Sequence, residues 1–194
     1  MNIRLASTLS LAAICLVPIA DAATYYWKPG ATVGDYGTLS NWSTESTSGA
    51  DASALPGAGD ILELNADYAL DLGDNDWSLK SWGPEKTNAS AEHSLSVRNG
   101  SLTLSNIDAA PASITVSNAT LTVTGRMGGG DNGNGTDLHQ YLTVKDGGVV
   151  SVYDLNPCRF LWTIEEGGTL TFNNKYLGAY GNAANVTDPS QNGI

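Results

Sequence analysis

Residues 142–152 read LTVKDGGVVSV, and residues 162–172 read WTIEEGGTLTF. Each phrase is an alternating strand, a charged pair, a Gly-Gly and a second alternating strand. Successive side chains of a strand point to opposite faces, so Leu142, Val144, Val150 and Val152 share one face. Trp162, Ile164, Leu170 and Phe172 hold the same places in the second phrase. The positions between them are mostly Thr and Ser, which suit the solvent face of a strand.

Two earlier phrases follow the same pattern: SLSVRNGSLTL at 94–104 and ASITVSNATLTV at 112–123. Val97, Val116, Val144 and Ile164 are the equivalent residues, separated by 19, 28 and 20 positions. The phrases break at Arg98-Asn99-Gly100, at Ser117-Asn118-Ala119, at 145–148 and at 165–168. Gly and Asn tolerate positive φ, so a tight corner is expected at each break. Any one phrase also reads as a β-hairpin, because Asn-Gly and Asp-Gly are hairpin signals. The repetition favours a different solution. A unit of about 20 residues cannot bury its apolar stripe alone, but copies stacked in register fuse their stripes into one column. The expected fold is all-β, a parallel β-helix with one phrase per coil and no sustained helix. A second period of about 50 residues overlies the first, relating the loop GGGDNGNGTD to GAYGNAANVTD. The sequence stops where another strand phrase is due, which reads as a solenoid cut in mid-repeat.

Residues 23–60 lack this alternation and set Trp27, Tyr36 and Trp42 among Gly, Ser and Pro. Strand character resumes at 61–64 and 69–72, followed by Trp77, Leu79 and Trp82. The first coil of a solenoid leaves an apolar end and an open sheet edge, and large rings folded over that end would cap it. The chain therefore divides into residues 1–22, an N-terminal cap at 23–60 and β-helix repeats at 61–194. Residues 1–22 carry one arginine, an apolar run and an Ala20-Asp21-Ala22 cleavage pattern, as a secretory signal peptide does. The run is too short and too interrupted for a membrane span, and none is expected in the mature chain. Cleavage removes Cys15 and leaves Cys158 alone, so no intrachain disulfide is expected and burial must hold the domain together.

The 194 residues carry a formal net charge of −11 with only 15% charged side chains. Phosphate contacts need clustered Lys or Arg, and the nine basic residues are scattered over the chain, so no nucleic-acid partner is expected.

The opening YYWKPG, GDYGTLSNWS and LPGAGDILEL resembles the start of bacterial surface proteins with autotransporter-type β-strand repeats. Trp27 to Gly30, Gly34-Asp35-Tyr36, Asn41-Trp42 and Pro56 to Asp60 carry the likeness, and Gly-Gly-Thr-Leu-Thr-Phe at 167–172 is similar to the family's repeat phrase. The resemblance implies a right-handed β-helical passenger exposed at or beyond the outer membrane. The membrane barrel that closes such proteins has no counterpart in this sequence.

Candidate sites are few. Asp60, Glu63, Asp67, Asp71, Asp74 and Asp76 form an acidic run whose members would serve a polysaccharide lyase or hydrolase only if the fold gathers them. Arg98, Arg126 and Arg159 sit on separate phrases. Asp131 to Asp137, DNGNGTD, places oxygen ligands between glycines, making Asp131 and Asp137 candidate calcium ligands. No other cofactor is indicated. His93 and His139 stand alone, without zinc spacing. Trp27, Trp42, Trp77 and Trp82 are candidates for stacking on sugar rings, with cap and core packing the plainer role. The expected function is that of a secreted or cell-surface, structural or adhesin-like protein, not an enzyme, facing a surface glycan or a host or matrix component. Two alternatives are a carbohydrate-binding or carbohydrate-active β-helix fragment and a β-sandwich binding module with antiparallel phrases.

Overall fold

Alternation of the kind read above fixes a strand's inner and outer faces but leaves its neighbours open. The computed structural model supplies them, describing residues 21–63, 66–83, 93–107, 113–127, 140–155 and 160–172. Strands β1 (Thr24–Trp27), β2 (Gly34–Asp35), β3 (Trp42–Ser43) and β4 (Ile61–Leu62) are short. Three long strands follow: β5 (Tyr68–Trp82), β6 (Ser94–Ile107) and β7 (Ser113–Met127). The rest are β8 (Gln140–Val144), β9 (Val149–Leu155), β10 (Phe160–Ile164) and β11 (Thr169–Phe172). The only helical turn among the described residues is a 3-10 turn at Leu39–Asn41. The fold is all-β, built on one open and mostly parallel sheet.

The four equivalent residues inferred from the repeat are register partners. Val97 pairs with Val116, Val116 with Val144, and Val144 with Ile164, in parallel throughout. The second arms of the phrases agree: Leu102 pairs with Leu121, Leu121 with Val150, and Val150 with Leu170. Neighbouring phrases are therefore stacked in the same direction. The antiparallel pairing of a β-sandwich does not occur between them, and among the described pairs it is confined to β1 and β3. Each phrase also runs onward through its corner instead of folding back as a hairpin.

Two kinds of corner do this. In β6 and β7 a single asparagine takes left-handed backbone, Asn99 at φ 57° and Asn118 at φ 46°, and the strand continues. The later phrases use a four-residue turn, closed by Gly148 N–H donating to Lys145 O at 2.8 Å and Gly168 N–H to Glu165 O at 2.9 Å. Gly147 and Gly167 occupy the third place with φ of 65° and 81°, which a type II turn requires.

One further layer of the stack precedes the four read from the sequence. Tyr68, Leu70, Trp77 and Leu79 of β5 pair with Leu95, Val97, Leu102 and Leu104 of β6. The register slips between Asp71 and Asn75, because this corner carries Leu72-Gly73-Asp74 where β6 carries Asn99 alone. The inward side chains form one core: Leu70, Val97, Val116 and Val144 on one arm and Leu79, Leu104, Val123 and Val152 on the other are all buried.

Residues 24–62 lie on the opposite side of β5 from β6. β4 runs parallel to Ser81–Trp82, β2 parallel to Leu70–Asp71, and β1 joins β4 to β3. Their rings pack over the first layer. Trp27 and Trp42 meet at 4.8 Å between centroids, Tyr36 and Trp42 at 5.1 Å, and Tyr36 stacks on Trp77 at 4.2 Å.

Candidate functional site

The acidic run does not converge. Asp60 closes a local turn, accepting from Gly57 N–H at 2.8 Å and from Ala23 N–H at 2.8 Å. Asp67 reaches the next layer, accepting from Ser94 N–H at 2.8 Å and its hydroxyl at 2.9 Å, with His93 Nδ1 4.0 Å away. The backbone oxygen of Glu63 accepts from the Tyr68 hydroxyl at 2.7 Å. Asp74 is a left-handed corner residue and Asp76 an exposed strand residue.

Asp71 is the best-connected member. It sits on β5 beside Arg98 of β6, its register partner. Arg98 donates to Asp71 Oδ2 through Nε at 3.0 Å, with Nη2 at 2.9 Å from the same oxygen. Asn99 Nδ2 lies 3.1 and 3.0 Å from its two oxygens, and Gly73 N–H donates to Oδ1 at 3.2 Å. Burial opposes the charge, yet the Asn99 amide, the Gly73 N–H and the Arg98 guanidinium together hold this carboxyl below its ordinary range. The polar chain continues along the corner, where Asn118 Nδ2 donates to Asn99 Oδ1 at 3.0 Å. At the next layer, Asn118 N–H donates to Asp146 O at 3.1 Å. Asp71, Asn99 and Asn118 thus form a ladder that ties three corners together. Every oxygen of Asp71 is engaged, so it is poorly placed to take a proton from a substrate.

Arg98 is spent on this ladder, and Arg126 lies at the far end of β7, opposite Asp154 in register. Arg159, Cys158, His139 and the calcium candidates Asp131 and Asp137 lie outside the described residues, as do both copies of the long loop and residues 1–20. Among the described residues no three His, Cys, Asp or Glu side chains gather as a metal site requires.

The tryptophans are placed inward. Trp27, Trp42 and Trp82 expose none of their surface, so none offers a face to a sugar ring. Trp27 Nε1–H donates to Gly30 O at 2.9 Å and Trp42 Nε1–H to Tyr36 O at 2.8 Å. Trp77 is partly buried, stacked on Tyr36 and donating to Leu72 O at 3.0 Å. Burial also pushes the Tyr36 and Tyr68 phenols well above their usual range. The residues that the sequence reading missed are the corner asparagines as a bonded ladder. Their signal was present: Asn99 and Asn118 occupy the same place in consecutive phrases.

Comparison with family models, with curated proteins and with solved structures finds no match. No helix among the described residues is long and apolar enough to cross a membrane.

Proposed function

We propose that this chain is an exported β-helical surface protein, structural or adhesive in role and without a catalytic centre of its own. The observation that carries the reading is the parallel register of five layers, Leu70, Val97, Val116, Val144 and Ile164 in one unbroken line. Layers joined in this order and direction are what a solenoid requires. The ring cluster of residues 23–60 then acts as the cap over the first coil. The secretory character of residues 1–22 and the resemblance of the opening to autotransporter-type proteins support display outside the cell. The use of Asp60, Asp67, Asp71 and Arg98 as turn and corner ties supports a structural role for the charges that an enzyme would need free.

Two measurements test this. Protease treatment of intact cells carrying the tagged protein should remove it without lysis, and a protein protected until lysis refutes surface display. Incubation of the purified chain with charged and neutral polysaccharides, with and without calcium, should release no product. Turnover abolished by a substitution in this chain would replace the structural reading with an enzymatic one.

A further inference from the structure

The outward side of the second arm is a grid of hydroxyls. Ser101, Thr120, Val149 and Thr169 are register partners in one outward column. Thr103, Thr122, Ser151 and Thr171 form the next column, two residues along each strand. Seven of the eight positions carry a hydroxyl and none carries a charge, in a chain of formal net charge −11; on β5 the first column continues to exposed Asp76, in register with Ser101, and the second to Ser78. The patch contains no bulge, since the register slips of these strands fall beyond it, after Leu104 and after Val123. Layers recur about every 4.8 Å and alternate residues roughly every 6.6 Å, so the grid is periodic in two directions. Thr is branched at Cβ and its χ1 is restricted, which keeps hydroxyl and methyl in fixed places.

These hydroxyls have no protein partner among the described residues. The contrast with the corner is sharp: Asp71, Asn99 and Asn118 are bonded to one another, and Thr124, just past the grid, donates to Leu104 O. The eight positions carry no charge for a charged polymer and no aromatic ring for a sugar; exposed Tyr153, two residues past Ser151 on the same face, borders them. The array does match a ligand that is itself a two-dimensional lattice of hydroxyl donors and acceptors. One oxygen repeat on a prism face of ice is close to the layer spacing of the grid, and the other is somewhat longer than its along-strand spacing.

We propose that this Ser/Thr grid of β6, β7, β9 and β11 binds the surface of ice, its hydroxyls holding water at lattice spacing and its methyls excluding disordered solvent between them. The inference stands on strand register and not on the surface-display reading, so either can fail alone. The first arm has only one comparable column, Ser96, Thr115, Thr143 and Thr163, whereas the grid has two; exposed Tyr141 borders the one as exposed Tyr153 borders the other.

The test is partitioning of the purified protein into slowly grown ice, together with the shape of single ice crystals in its solution. The wild type should enter ice and produce faceted crystals. Thr122→Lys and Thr171→Lys, which raise a charged side chain above the grid, should be excluded from ice while keeping the wild-type circular dichroism. Thr115→Lys, on the other arm, should behave as wild type. Exclusion of the folded wild type from ice overturns the proposal, as does undiminished partitioning of a folded Thr122→Lys or Thr171→Lys variant. Loss on Thr115→Lys alone would move ice binding to the other arm and overturn the assignment to this grid.

Discussion

The Gly-Gly in the repeated phrase divides two duties between its members. Gly147 supplies positive φ, whereas Gly148 is needed for space, because a Cβ there would lie 2.5 Å from Val116 O in the layer below. Gly168 repeats the relation one layer on, with Val144 O at 2.6 Å. A backbone carbonyl in a ladder cannot step aside, so Gly148→Ala should cost about 1–3 kcal/mol in denaturant unfolding. Gly59→Ala, with open space around its Cβ, should stay within about 0.5 kcal/mol of wild type. Equal effects of the two substitutions would dissolve the stacking explanation. Asp71 makes a separate prediction in pH. Its folded pKa is depressed, so the unfolded state binds more protons in the acid range. Its contribution is whole above the ordinary carboxylate value of about 3.9 and is lost as pH falls through the lower folded value. Asp71→Asn should therefore lower stability at neutral pH and flatten the acid limb of the stability profile. An acid limb unchanged in slope would remove the Asp71 ladder as a source of stability.

At the scale of a strand, the inward and outward faces separate sharply. Leu121 is fully buried between Leu102 and Val150, and adjacent Thr122 faces outward between Thr103 and Ser151. Leu121→Ala should cost about 2–5 kcal/mol, since it opens a cavity in a column that cannot collapse. Thr122→Ala should cost under about 0.5 kcal/mol by the same measurement, and a reversal of that order would mean that the faces are misassigned. The faces were legible in the sequence because period two is a local property. The neighbours were legible only through the repeat: Val97, Val116, Val144 and Ile164 were matched by phrase, and their pairing follows. Where the phrase was distorted, the sequence was opaque. Leu72-Gly73-Asp74 lengthens the first corner, so the segment read as strand at 69–72 and through Trp77 and Leu79 could not be aligned with the four phrases, although it forms the layer next to them. The acidic run was legible as residues but not as roles. Whether Asp60, Asp67 and Asp71 meet depends on three different turns, and the turns send them to three different neighbours. The tryptophans pose the same difficulty, since ring burial is decided by contacts such as Trp42 to Tyr36 and Trp27 that no local pattern encodes.

For the whole molecule the solenoid reading has a consequence that no single-residue change reaches. If each coil contacts only its neighbours, one coil is removable, provided that the cut respects the register. Val97 and Val116 are partners, so deleting residues 98–116 joins Val97 directly to Ser117 and excises one coil of 19 residues. Val97 then takes the place of Val116 against Val144, and the joined strand meets β5 as β6 did, because Arg98 and Ser117 are also partners. The shortened chain should keep a β-type circular dichroism spectrum and unfold cooperatively, with a smaller denaturant slope because it buries less surface. A deletion of one residue more, 98–117, makes a demanding control. It moves the joined strand by a single position, and a one-residue slip turns every side chain to the other face. Thr120 and Thr122 would then point into the column and Leu121 and Val123 into solvent, so this variant should fail to fold or should aggregate. Equal behaviour of the two deletions would mean that the layers are not interchangeable units, and the cap, the corner ladder and the inward column would have to be explained as parts of one irreducible sheet.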